Sequence, residues 1–321
     1  MCCLASLLSL KSLAGCAQGN SATGCKHEEA WLSVQTASVK ALNPAANTLA
    51  YIGAGAGLLD FYDAQHVVIH DPAYSGFCLS KPKKSDEADS RSADGDCGPS
   101  SKCSWDFRNS SAVDYFVEKI VRPWAEDNHT DSVFVDEGDS IACIGHPDLP
   151  TLADRYAWSN GSVDAYRRSA ALLDSHGKRL VVSLKNGFVG AAPIAAKFKL
   201  CPVPLDDFIM AMKGVPFIRF HEYFGALSKL KGGTGSPSGI DGSTMCMNLI
   251  RTAQREAATP NVAFSAHGGS YWENYNFVEK TSLDLSFALF MLARNATAGG
   301  EMDWFGWSTK QFWYTRNWCV T

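Results

Sequence analysis

From Trp31 onward, strand-like and helix-like segments alternate along the chain, and its apolar strands stop abruptly on polar or acidic residues. Such alternation predicts parallel strands with helical crossovers, and strands ending in carboxylates predict a polar mouth at their C-terminal ends. A chain of 321 residues with 46% hydrophobic and 19% charged content can bury a core of the necessary size. The predicted fold class is therefore α/β, a (β/α)8 TIM-type barrel whose first strand is atypical or missing.

Residues 1–27 open with MCCLASLLSLKSLAGCAQ, small and apolar over roughly the length of a signal peptide, but without a basic start and with Lys11 interrupting the apolar run. The Leu13-Ala14-Gly15-Cys16 stretch also has the form of a lipoprotein cleavage site. This segment is expected to be a signal, or an atypical or truncated start, because no β-branched run precedes Val34. Residues 28–321 are expected to form one barrel domain.

Its first helix is expected from about Glu28 to Leu42, where Asn43-Pro44 stops it. A strand follows at Thr48 to Ile52, then a helical stretch from Leu58 to Leu79. The segment Lys81 to Lys102 is rich in charge, Ser, Gly and Pro, so it reads as a solvated insertion. Strand Cys103 to Phe107 precedes helix Ala112 to Glu126. Strand Ser132 to Asp136 precedes a helix from about Val163 to Ser175, closed by His176-Gly177. Strand Arg179 to Leu184 leads to a helix near Ala191 to Lys199. Strand Phe217 to Glu222 leads through a Gly/Ser-rich loop to helix Thr244 to Ala258. Strand Val262 to Ala266 leads to helix Ser282 to Ala293, and Glu301 to Trp307 supplies the last strand. Seven strands fall one short of a full barrel. Since Thr321 also follows an aromatic segment with no closing helix, the pattern favours a piece of a longer protein.

Composition excludes several functions. A net charge of -4 with no long basic run leaves no footprint for nucleic acid. No apolar run is long enough for a spanning helix, and Leu283 to Ala293 reads as a buried helix. The acceptors Asn109-Ser-Ser, Asn128-His-Thr, Asn160-Gly-Ser and Asn295-Ala-Thr point to a secretory route. The eleven cysteines do not form a CxxC pair or a Cys/His ladder, so neither a metal nor another cofactor is expected. Cys78, Cys97 and Cys103 cluster around the insertion, and one disulfide is expected among them. Gly53-Ala-Gly55-Ala-Gly57 is no dinucleotide loop, because Leu58 occupies the place of the third glycine, and Ser236 and Ser270 lie in no G-x-S-x-G elbow. No feature sets the oligomeric state.

Strand alternation suggests which side chains meet. On Ser132 to Glu137, Val133 and Val135 read as helix-facing, which aims Asp136 at the lumen and leaves Glu137 at the rim. The same rule places Ser104 and Asp106, Ser183 and Lys185, and Ser265 and His267 at the mouth. On Phe217 to Tyr223 it places Arg219 and His221 inward and Glu222 outward, unless the chain turns there. Glycoside hydrolysis needs one ionised carboxylate and one protonated acid across a sugar. Asp136 fits the first role and Glu222 the second. Asp106, Glu137, Lys185, His221 and His267 are candidate sugar ligands, and Trp304, with Trp105, Tyr223, Trp272 and Trp307, offers rings for stacking. Each has a structural rival: Asp139 or Ser140 as a helix cap, Glu222 as an ion-pair partner, the tryptophans as core.

Four segments carry a family resemblance: Val39 to Ile52, Trp105 to Trp124 with Asp131 to Asp139, Leu173 to Leu184, and Leu283 to Trp307. In these the chain resembles the glycosyl hydrolase-like TIM-barrel proteins, a group whose substrates are largely unassigned. The resemblance implies a barrel with Asp136 at the strand-four acid position and Glu222 at that of strand six. Two departures stand out: the family's first strand is not recognisable, and the second strand ends in glycines. Two functions follow as expectations, a secreted glycosidase acting on a poly- or oligosaccharide, or a non-catalytic barrel that binds glycans.

Overall fold

In the computed structural model, the described residues are 28–54, 63–80, 103–136, 138, 146–183, 212, 214–221, 250–251, 254, 262–268, 288, 291–292 and 301–304. The chain divides into two units, residues 4–181 and residues 182–321 with 1–3. Each is described by itself.

In the first unit, helix α1 (Glu28–Leu42) ends at Asn43-Pro44 as the sequence predicts, and the Asn43 side-chain oxygen accepts from Ala45 N at 3.1 Å. Strand β1 (Leu49–Gly53) follows and pairs in parallel with β4 (Ser132–Asp136). Strand β5 (Arg179–Ser183) is the next neighbour of β4 and straddles the boundary between the units. The entry to this pair is tied by Asp131, which accepts from Thr48 N at 2.7 Å and meets Lys40 Nζ at 2.6 Å. Val133 and Val135 are fully buried, as are their register partners Ala50 and Ile52 within 2%, so one face of the pair is core.

Between β1 and β4 the structure departs from the expectation in two places. Instead of one helix to Leu79, α2 (Asp63–His70) ends before Pro72, a 3-10 turn covers Pro72–Phe77, and β2 (Cys78–Ser80) follows. The cause is local: Asp71 caps the turn by accepting from Ala73 N at 2.9 Å, and proline at its start cannot continue the hydrogen bonding of α2. Strand β3 (Cys103–Trp105) is not one of the parallel strands; it pairs antiparallel with β2 in a separate two-stranded sheet. Antiparallel strands can be joined by a tight connection, whereas parallel neighbours need a crossover.

The segment after β3 forms one continuous helical run, α3 (Ser110–Tyr115), a π-helical stretch (Phe116–Val121) and α4 (Arg122–Glu126). Helix α5 (Leu152–Ser175) starts well before the expected Val163, because Thr151 and Asp154 form a reciprocal capping box. It ends as predicted at Gly177, whose φ of 72° suits glycine. Trp105, Phe107, Phe116, Trp158 and Tyr166 pack into one aromatic core, and Trp158 Nε1 donates to Trp105 O at 2.8 Å. Trp105 is 0% exposed, so it is core and not a stacking platform.

In the second unit, β6 (Phe217–His221), β7 (Val262–Gly268) and β8 (Glu301–Trp304) pair in parallel in that order. Parallel strands and intervening helices make the chain α/β, as expected. At the helix expected over Ser282 to Ala293, Met291 and Leu292 are exposed, so that end is not buried.

Candidate active site

Asp136 closes β4 where the sequence places it. Its register partner is Gly53, which carries no side chain to cover the carboxylate, and Ala54 N donates to the Asp136 carbonyl at 3.1 Å. The face opposite Val133 and Val135 carries Leu49, Tyr51, Ser132, Phe134 and Asp136; Asp136 and Tyr51 are half-buried on it. Tyr51 Oη donates to Asp136 Oδ2 at 2.8 Å, while the Tyr51 ring lies 5.8 Å from that of Phe134. Helix α5 steadies the chain just beyond, with Tyr166 Oη donating to Gly138 O at 2.8 Å.

Tyr51 also lines a cavity of about 210 Å3 bounded by Glu29, Gln65, Lys119, Ile120 and Trp124, among others. Burial pushes the Glu29 carboxyl up, against backbone donors from Asp63 and Ala64 at the start of α2. Burial also pushes the nearby Tyr115 phenol up to about 12.

Asp106 follows β3 and so reaches its place from the antiparallel pair, not from a neighbouring parallel strand. Both of its oxygens are engaged by Arg108, through Nε at 2.9 Å and Nη2 at 2.8 Å. The Asp106 hydrogen bonds, outweighing burial, hold the Arg108 guanidinium even further toward its charged form. Arg108 Nη1 in turn donates to Asp154 at 3.2 Å, and the Thr151 hydroxyl, its backbone N–H and Arg108 hold the Asp154 carboxyl below its ordinary value. Asp106 is therefore anchored to the start of α5.

In the second unit the strand register is as follows. His221 is partnered with Ala266, while His267 is partnered with Asp303 and Gly268 with Trp304. Arg219 is fully buried. Glu137, Lys185 and Glu222 lie outside the described residues.

Sequence reasoning passed over two residues. Tyr51 needed the β1–β4 pairing, which alternation within one strand does not supply. Asp303 needed the β7–β8 register, which sequence alone does not supply. Among the described residues no group of three or more His, Cys, Asp or Glu is arranged to hold a metal, and no helix is long and apolar enough to cross a membrane.

No family model and no curated protein matches the chain. Among solved structures, the PgaB (BpsB) glycoside hydrolase domain from Bordetella bronchiseptica is similar at a TM-score of 0.46 and 12% identity, covering 80% of this chain and 70% of that one. Aspergillus fumigatus Ega3 in complex with galactosamine gives a TM-score of 0.38 and 9% identity, covering 84% of this chain and 78% of that one. Similarity this low says nothing of this chain's activity.

Proposed function

We propose that the chain is a glycoside hydrolase that cleaves O-glycosidic bonds of a poly- or oligosaccharide with a pair of carboxyl groups, Asp136 and Glu222, on a (β/α)8 barrel. The observation that carries the reading is Asp136 itself: a half-buried carboxylate at the C-terminal end of a parallel strand, with a tyrosine hydroxyl donating to it at 2.8 Å. That environment suits the ionised partner, which acts either as nucleophile or as base toward water, while Glu222 supplies the proton to the departing sugar oxygen. The proposed sugar ligands are Asp106, held in place by Arg108, with Glu137, Lys185, His221, His267 and Trp304. No cofactor enters the proposed reaction. The glycosylation acceptors and the disulfide at Cys78 support secretion, since such bonds persist in oxidising compartments.

The stereochemical outcome follows from the carboxyl separation: about 5 to 5.5 Å gives retention, and roughly 6.5 to 9.5 Å gives inversion through an interposed water. A polysaccharide panel read by reducing-end release tests the proposal. Wild-type chain should release product, and Asp136→Asn should lose at least about a thousandfold in turnover while still binding the glycan. Equal turnover by the variant would overturn the role of Asp136. Binding without release by the wild type would favour a non-catalytic glycan-binding barrel.

A further inference from the structure

Three glycosylation acceptors fall on described residues, and the fold treats them differently. Asn109 has both ends of its amide engaged, the oxygen by Ser111 N at 3.0 Å and the nitrogen by Gly76 O at 2.9 Å. Asn160 is exposed on α5, but the hydroxyl two residues on, Ser162 Oγ, donates to Ser159 O at 2.8 Å within the helix. In Asn128-His129-Thr130 neither end has such a task. Asn128 is exposed, and among the described residues its side chain has no hydrogen-bond partner. Thr130 is 2% exposed, and its hydroxyl meets no hydrogen-bond partner among the described residues. A buried hydroxyl without a partner destabilises a fold, and valine has nearly the same shape without that cost. Threonine at this position therefore answers to something other than packing.

The turn that carries Asn128 is fixed on either side of it. Thr130 N donates to Asp127 O at 3.3 Å, and His129 N to Asp127 Oδ1 at 2.7 Å. Ser33 Oγ on α1 donates to Asp127 Oδ2 at 2.5 Å, and Thr48 Oγ1, just before β1, to His129 O at 2.5 Å. Asp127 and His129 are thus anchored, and Asn128 stands exposed between them. This turn precedes β4, whereas Asp136 closes that strand, so Asn128 lies at the opposite end of β4 from the proposed catalytic carboxylate. A bulky group there leaves the mouth of the strands open.

We propose that Asn128 carries an N-linked glycan, and that the Thr130 hydroxyl serves the transfer of that glycan and not the fold. This rests on the secretory part of the proposed function. The donor is a lipid diphosphate-linked oligosaccharide, which a secretory compartment supplies with its transferase. A bond forms between Asn128 Nδ2 and the anomeric carbon of the sugar. The bond from that carbon to the diphosphate breaks, the lipid diphosphate leaves, and one amide proton passes to a base of the transferase. The acceptor motif is read with its hydroxyl while the chain is still extended, so Thr130 is accessible when it is needed and buried afterwards.

The test uses the full chain secreted from a eukaryotic cell line, with enzymatic removal of glycans in heavy-oxygen water to mark each glycan-bearing asparagine as labelled aspartate. Asn128 should be labelled in most molecules; a bare Asn128 in secreted chain overturns the proposal. Asn128→Gln and Thr130→Val should each lose that glycan by gel mobility, while Thr130→Ser, which keeps a hydroxyl, should retain it. A glycan still present at Asn128 in Thr130→Val would overturn the role of the hydroxyl. In unglycosylated chain made in bacteria, Thr130→Val should unfold at a urea concentration no lower than wild type, because no hydrogen bond is lost. A lower midpoint, or failure to fold, would assign the hydroxyl to the fold and overturn that half of the proposal. Retention of the chain in the cytosol would sink the secretory reading alone, and the same chain behind a cleavable leader, translated with microsomes, then decides Asn128 by the same labelling.

Discussion

At the scale of single residues, small side chains set what the larger ones can do. Gly161 lies inside α5, where glycine is ordinarily unfavourable, yet a Cβ there would stand 1.7 Å from the Phe107 carbonyl oxygen. The backbone of the β3 segment thus runs directly against the helix, and that approach places Phe107 in the aromatic core. Gly161→Ala should cost about 3 kcal/mol or more, because backbone must move, and urea unfolding of the purified chain would measure it. An unchanged midpoint would show that the two segments can part without loss. Asn160, one of the four glycosylation acceptors, is exposed on this same helix, while Asn109 uses its side-chain oxygen to cap α3 and its amide to reach Gly76 O at 2.9 Å. Asp136 was legible because an apolar strand ended on it; Tyr51 was not, since a tyrosine in a half-buried strand looks like any aromatic until the neighbouring strand is known.

At the scale of elements, the helix expected over Ala112 to Glu126 is present, and its burial pattern explains the π stretch inside it. Ala112 and Val113, Phe116 and Val117, Ile120 and Val121, and Trp124 and Ala125 are all buried, a period of four residues. An α-helix turns every 3.6 residues, so over these three repeats its buried face would drift by about 120°. The wider π stretch Phe116–Val121 absorbs the drift and keeps every pair on the core side. A four-residue period was visible in the sequence, and its consequence is the π stretch. The tie between α1, β1 and β4 through Asp131 gives a pH dependence. Burial pushes that carboxyl up, but Lys40 and the Thr48 backbone and hydroxyl outweigh it and leave it below its ordinary 3.8. A depressed folded value means the tie stabilises the fold above pH 3.8 and is lost as the pH falls through the folded value. Asp131→Asn should therefore lower the urea midpoint at pH 6, and its gap to wild type should close as the solution is taken down toward pH 2.

At the scale of the whole molecule, five of the seven expected strands, β1, β4, β6, β7 and β8, pair in parallel as the alternation implied. The expectation for Cys103 to Phe107 failed because an apolar run flanked by turns reads the same in a parallel sheet and an antiparallel ladder, and only its partner tells them apart. That antiparallel ladder has a practical meaning for anyone wishing to rebuild the molecule. Ser80 and Cys103 are direct register partners, so the two ends of the insertion already stand where a two-residue hairpin turn would join them. Replacing residues 81–102 by Asn-Gly, which also removes Cys97, should yield a chain that still folds, with a melting temperature by circular dichroism within a few degrees of that of the Cys97→Ser chain. Loss of folding would mean the insertion is needed for the core. If the shortened chain folds, the segment is an exchangeable cassette that can be removed, swapped or grafted without loss of the two-stranded sheet whose ends it joins.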